Sequence, residues 1–370
     1  MALPARLDRN DTRGPRLPRS RQIDGQGLCR PAGWFIVLCM NTPLEQRTLG
    51  TSANAISAIG FGCMGLVGWY GTRNDEESTA TLLEAVDAGI NHFDTAASYQ
   101  LGENEKFVGA VLKPYRNRVV LASKCGLVRG PDGSALADNS PATITASLDA
   151  SLARLGFEHI DLFYLHRIDR RVPIEESVGA LADLVKAGKI RQIGLSECSE
   201  ATLRRAAAVH PIAAVQTEYS LWSRDPEQGM LAACRELGTT FVAYSPLGRG
   251  FLAGNFARLD ELPANDNRRN QPRFQDDNAA HNEGLVAALR ELATEIGVTP
   301  AQVALAWVLA QAPHIVAIPG MKTRAHLRDN LAGGALRLTP AQATRLEARA
   351  AALAIRGERH PPAMMQIVDR

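Results

Sequence analysis

The chain has 370 residues, 45 % of them hydrophobic and 22 % charged, with a formal net charge of +2, the profile of a soluble globular protein. Seven arginines and three aspartates in residues 1–40 supply the positive balance, since the remainder holds 34 basic and 36 acidic side chains, so no basic surface for nucleic acid is implied. Six cysteines at 29, 39, 63, 125, 198 and 234 form no C-x-x-C pair, a pattern of reduced thiols in a cytoplasmic protein that argues against a disulfide framework or a zinc site.

Residues 1–40 are rich in Arg and Pro, lack periodicity, and are expected to be a disordered extension ahead of a more natural start at Met40. Their longest apolar run, Trp34–Met40, falls short of the ~20 residues that span a bilayer and lacks a small-residue cleavage site. Residues 41–370 are read as one domain. Gln46–Gly50 and Ala55–Gly62 read as short strands around a Gly-Thr-Ser turn. A helix is predicted over Asp75–Ala88, then a strand over Ile90–Asp94, a helix over Gly102–Leu112 and a buried strand over Val119–Lys124. The alternation continues with a helix at Pro141–Leu155 closed by Gly156, a strand at Ile160–His166, a helix at Ile174–Lys186 and a strand at Ile190–Ser196. Ser199 caps a helix over Glu200–Val209. Strands at Ile212–Gln216 and Thr240–Tyr244 flank a helix at Glu227–Leu237, and the polar stretch Phe251–His281 reads as a long mobile loop. Helices at Asn282–Ile296 and Pro300–Gln311, a last strand at His314–Ile318 and two further helices complete the chain.

Strands of nearly continuous Val, Ile, Leu and Ala that alternate with amphipathic helices require a parallel sheet buried on both faces. Eight such units follow Ala58, the number that closes a (β/α)8 TIM barrel, here with an N-terminal β-hairpin and extra C-terminal helices. A doubly wound sheet is the second choice. Gly60-Phe61-Gly62-Cys63-Met64-Gly65 only loosely matches the dinucleotide fingerprint, which disfavours that fold.

In a barrel, the residues just past the strand ends converge on one face. Those exits carry Asp94 with Tyr99, then Lys124, His166, Ser196-Glu197, Gln216, Tyr244 and Ile318-Pro319-Gly320. A phenol is a poor acid–base at neutral pH unless its pKa is lowered. A lysine ammonium beside it favours the phenolate, and an aspartate would hold the lysine. With a histidine to orient a hydrogen bond, that set can protonate a developing alkoxide. Taken singly, Asp94 is equally a helix cap, Tyr99 a surface tyrosine, His166 a core histidine and Tyr244 barrel packing; their co-occurrence at successive exits carries the reading. Cys63 and Cys125 lie near this face and are read as packing residues.

These residues resemble the aldo-keto reductase family, over roughly Gln46–Ala351. The match runs through Phe93-Asp94-Thr95-Ala96 with Tyr99, Gly102 and Glu105, Ser123-Lys124, Asp161–His166, Ile193–Ser196, Gln216 with Glu218-Tyr219, and Ala243–Gly248. The form of residues 194–197 and of 219–224 is most similar to the perakine-reductase-like and auxin-induced branch. The resemblance implies NADPH-dependent reduction of aldehydes and ketones, with NADH as an alternative donor and a small-molecule carbonyl compound as the partner. By position, Tyr99 would be the general acid, Lys124 and Asp94 its tuning pair, and His166 the residue orienting the carbonyl. Ser196, Glu197 and Gln216 would lie at the nicotinamide carboxamide, with Tyr244 against its ring. Ser245, Pro246, Leu247, Gly248, Arg249 and Gly250 would follow the pyrophosphate. Gly320, Lys322, Thr323, Arg324, Arg328 and Asn330 would meet the 2′-phosphate and adenine. Two positions depart from the common family pattern: Glu197 stands where many members have Asn, and Gly320 where a basic residue is usual. Trp69, Tyr70 and Trp222 are the expected substrate-pocket residues. The alternative reading is a cofactor-sensing regulatory subunit resembling potassium-channel β-subunits, which share the fold and the tetrad.

Overall fold

The structure, a computed structural model, describes residues 44–369 apart from 255, 257 and 258. The expected extension over 1–40 lies outside the described residues. Eight parallel strands stand side by side in chain order: β3 (Phe61–Gly62), β4 (His92–Asp94), β5 (Val120–Cys125), β8 (Ile160–Leu165), β9 (Ile190–Ser196), β10 (Ile212–Glu218), β11 (Thr240–Tyr244) and β12 (Ile315–Ile318). Parallel bridges Ile59–Ala317 and Gly62–Gly320 bring the two edges together, so the sheet closes as a (β/α)8 barrel. The seam needs a glycine at 62, where a side chain would stand 2.7 Å from the Ile318 carbonyl oxygen.

A hairpin of β1 (Gln46–Thr48) and β2 (Ala55–Ser57) precedes the barrel. It buries Leu49 and Ile56 among the inward-facing Ala122, Leu162, Ala214, Val242 and Val316, plugging the barrel's N-terminal end. The opposite end is left for chemistry.

The outer layer comprises α1 (Asp75–Asp87), α2 (Glu103–Leu112), α3 (Pro141–Leu155), α4 (Ile174–Lys186), α5 (Glu200–Val209), α6 (Met230–Leu237), α7 (Asp276–Ile296), α8 (Pro300–Ala310) and α9 (Arg324–Ala335). Their starts follow the sequence: Asn74, Ser140, Ser199, Thr299 and Thr323 each accept a backbone N–H, and Thr299 with Gln302 completes a capping box. Among the described residues no single helix is long and apolar enough to cross a membrane; α7 and α8 reach that composition only together, bent by 97°.

Four expectations are corrected. The described residues of 251–275 form a packed segment with short 3-10 turns, and α7 begins at Asp276, six residues before the predicted start. Phe251 and Phe274 are buried against Trp222, with ring centroids 5.1 and 5.8 Å from the indole, which anchors the stretch where the sequence predicts a mobile loop. An unpredicted hairpin, β6 (Leu127–Arg129) with β7 (Ala135–Ala137), follows β5. The helix predicted from Glu227 starts at Met230, because residues 225–227 close a separate 3-10 turn and Gly229 adopts φ 124°. Three helices, not two, follow β12: α9, α10 (Pro340–Ala352) and the short α11 (Pro362–Met365).

Candidate active site

Strand alternation points His92 and Asp94 of β4, and Ala122 and Lys124 of β5, into the barrel. Lys124 is fully buried, with its ammonium hydrogen-bonded to Asp94 Oδ1, to the Thr95 carbonyl at 2.8 Å and to the Tyr99 hydroxyl at 3.3 Å. Gln216 Nε2 donates to the other Asp94 oxygen at 2.7 Å. His166 stands edge-on to the Tyr99 ring, centroids 5.9 Å apart, and its Nδ1 meets Ser98 Oγ at 3.2 Å. The four residues read from separate strand exits are therefore one cluster.

The chain around Tyr99 is held in an uncommon conformation. Gln100 and Leu101 are left-handed at φ 47° and 53°, and Gly102 follows at φ 89°. Two such non-glycine residues cost about 1–3 kcal/mol each, tolerated where surrounding contacts fix them. Those contacts come from buried polar residues: Thr95 Oγ1 donates to Asn104 at 2.6 Å, Asn104 to the Cys63 carbonyl at 2.8 Å, and Glu105 accepts from Ser123 at 2.5 Å and Arg154 at 2.7 Å. Of this ring, Thr95, Glu105 and Ser123 stand in the sequence motifs without a role and Cys63 as a packing residue, while Asn104 and Arg154 carry no sequence signal.

Burial pushes the Tyr99 phenol up, and the Lys124 charge offsets that only in part. The phenolate expected from a lysine neighbour is thus not the resting form; the tyrosine keeps its proton. Burial pulls Lys124 down, but Asp94 and Tyr99 outweigh it and the net shift is upward, so the ammonium stays charged. Burial, then the charges of Arg167 and Lys124, hold His166 well below the ordinary histidine value, leaving a neutral imidazole. Burial also pushes the Cys63 and Cys125 thiols up, consistent with packing residues.

Above the cluster opens a cavity of about 1740 Å³, larger than the roughly 300–1,000 Å³ of a typical small-molecule site. Asp94, Tyr99, His166, Ser196, Gln216 and Tyr244 line its floor and wall, as do Trp69 and Tyr70. Ser245, Pro246, Leu247, Arg249 and Gly250 continue along one side, and Gly320, Lys322, Thr323 and Asn330 along the far end. Asp266, reached from the Gly71 N–H at 2.9 Å, and Arg268, 5.4 Å over the Tyr70 ring, clasp the two rims together.

Five expected contacts lie elsewhere. Glu197, at φ 53°, turns behind the wall, where it accepts the Glu218 N–H at 3.1 Å and pairs with Arg359 at 2.8 Å. Gly248 packs on the Trp222 ring, which a side chain at that position would overlap. Trp222 is 3 % exposed and belongs to the aromatic anchor, not to the cavity wall. Arg324 and Arg328 turn outward to α1, pairing with Glu77 at 2.9 Å and Glu84 at 2.7 Å. In their place the wall carries His326, Asp329 and, from the C-terminal segment, His360, Pro361 and Met364. Only a hydrogen bond such as Tyr244 Oη to His360 Nε2, 3.1 Å, reveals that last group; nothing local in the sequence does.

Residues 58–351 match the Aldo/keto reductase family. The chain belongs to that family. It is 44 % identical over 327 residues to the aldo-keto reductase yakc (NADP+) of Schizosaccharomyces pombe, covering 86 % of this chain and 95 % of the yeast protein. A probable aldo-keto reductase 1 of Glycine max is 43 % identical over 298 residues, 80 % of this chain and 86 % of its own. The structure of the glycerol dehydrogenase AKR11B4 from Gluconobacter oxydans superposes with a TM-score of 0.76 at 28 % identity, over 86 % of this chain and 98 % of that one. Membership in the aldo/keto reductases makes the chain an oxidoreductase acting on carbonyl groups.

Proposed function

We propose that this chain reduces aldehydes and ketones to alcohols with NADPH, and that Tyr99 delivers the proton. The observation that carries the reading is the buried Lys124 ammonium, bridging Asp94 and the Tyr99 hydroxyl beside His166 on the cavity floor. The donor set suits a dinucleotide phosphate. Ser245, Gly248, Arg249 and Gly250 are all left-handed, a backbone run of the kind that forms an anion-binding concavity. Among the described residues, Lys322 has only the Tyr70 and Thr72 carbonyls as hydrogen-bond partners, and it stands close to the Thr323-capped start of α9. The yeast relative's name specifies NADP+, which supports the same cofactor here. With Arg324 and Arg328 engaged by α1, Lys322 is the cation left for the 2′-phosphate.

When bound, NADPH would supply the reducing equivalents. The chain's residues do the rest. Neutral His166, with Nδ1 held by Ser98, orients the substrate oxygen through Nε2. The Tyr99 hydroxyl passes its proton to that oxygen as negative charge develops, and Lys124 stabilises the phenolate left behind. Asp94 fixes Lys124, and Gln216 fixes Asp94. The Tyr244 ring and Ser196 bound the place of the nicotinamide. The buried thiols fit a reducing compartment such as the cytoplasm.

Tyr99→Phe tests the reading directly. Reduction of a good aldehyde should fall by roughly 10²–10⁴ while NADPH still quenches tryptophan fluorescence. Unchanged turnover in this variant would refute the proton assignment. A wild-type chain that binds NADPH and reduces nothing in a carbonyl panel would instead point to a regulatory subunit.

A further inference from the structure

Arg167 follows His166 at the exit of β8 and lines the cavity, yet it is only 5 % exposed. Four other lysines and arginines are no more than 8 % exposed among the described residues, and each has a carboxylate: Arg47 has Glu45, Lys124 has Asp94, Arg273 has Glu218 and Arg359 has Glu197. Arg249, whose side chain is 5 % exposed, shares Glu218. Arg167 has none. Its Nη1 donates to the neighbouring His166 carbonyl at 2.6 Å, and its Nε has no partner among the described residues. A buried cation without a counter-charge is costly to keep, and a bound anion removes that cost. Its charge bears on Tyr99, His166, Tyr244 and His360, so it acts where the substrate would sit. Lys322 and Thr323 instead follow β12, which stands across the eight-stranded barrel from β8.

We infer that the preferred substrates are carbonyl compounds bearing a carboxylate, which Arg167 receives beside the reacting oxygen. The planar guanidinium suits a carboxylate, and the neutral nicotinamide amide offers no compensating charge. The inference rests on the carbonyl-reductase reading for its substrate but can be tested apart from it.

Benzoate is titrated calorimetrically into the full chain saturated with NADP+, for wild type, Arg167→Met and Arg167→Lys. In parallel, 4-formylbenzoate and its methyl ester are compared as substrates. Wild type should bind benzoate, R167M about tenfold or more weaker, with R167K in between. The acid should exceed the ester in kcat/KM by at least about tenfold, a ratio that R167M brings towards one, mainly through KM. Equal use of acid and ester by wild type, with benzoate binding indifferent to Arg167, overturns the inference while leaving the reductase reading intact. R167M that loses NADP+ affinity instead of benzoate affinity also overturns it, assigning the cation to the cofactor. Arg167-dependent benzoate binding without reduction of either aldehyde supports the anion site and counts against the reductase reading.

Discussion

The Tyr99 hydroxyl is held between two opposing influences. Its low-dielectric surroundings raise the cost of ionisation, and the Lys124 ammonium 3.3 Å away lowers it without cancelling the first effect. A general acid for reduction must be protonated before the step, so activity should persist through neutral pH and fall as pH rises through the tyrosine's folded value, above the ordinary 10.0. In Lys124→Met the offsetting charge is gone, so the descending limb should move to higher pH while kcat drops. A pH profile of kcat/KM for reduction checks both points, and a wild-type limb near neutrality would contradict the assignment. The tetrad was legible in the sequence because each member follows a strand whose apolar run marks its own end. Its supports were not. Ser98, Asn104 and Arg154 act only through contacts that the barrel creates, and the partners of Arg324 and Arg328, Glu77 and Glu84, lie on α1, 247 and 244 residues away in sequence.

Strand β9 shows how an element can be chosen for what it leaves out. Gly194 pairs with Tyr164 across the β8–β9 ladder, and a methyl there would overlap the Tyr164 ring. That ring lies 5.8 Å from the Lys124 ammonium and so supports the lysine from below. Gly194→Ala should therefore lower stability by about 1–3 kcal/mol through overpacking, and lower kcat as well by disturbing Lys124. Urea denaturation with steady-state kinetics would check this, and an alanine variant of full stability and rate would show that the contact is slack. Regular elements such as α3, α4, α5 and β9 end where caps, glycines and apolar periodicity place them. The packing of the segment around Phe251, Phe256 and Phe274 is hidden from the sequence because these anchors are too widely spaced to show any period, while the Asn/Arg run between them dominates the local composition. Asp266 and Arg268 in that run reach across to Gly71 and Tyr70, a distant pairing that no local pattern announces.

Several titratable groups are buried in the barrel, and this sets how the whole molecule should respond to acid. Burial would raise Glu218, but Arg249 and Arg273 outweigh it and hold the carboxyl down at about 2, against 4.5 ordinarily. Burial keeps His92 at about 4 and His360 at about 3, against 6.5. Both kinds of shift have the same sign for folding, because in each case the unfolded chain takes up protons at a higher pH than the folded one. The histidine contribution should begin to fade as pH falls below 6.5, and the Glu218 contribution as pH falls from about 4.5 towards 2. Stability should thus be level near neutrality and decline in two stages into acid. Glu218→Gln leaves two buried guanidinium groups without their shared carboxylate, a loss of about 3–5 kcal/mol at pH 7. The gap between wild type and variant should then stay constant down to about pH 4.5 and narrow below it, since wild type loses there what the variant already lacks. Urea unfolding of both proteins from pH 7 to pH 3 measures that gap. A gap that is absent at pH 7, or that widens towards acid, would mean that the arginines around Glu218 are stabilised by some other group.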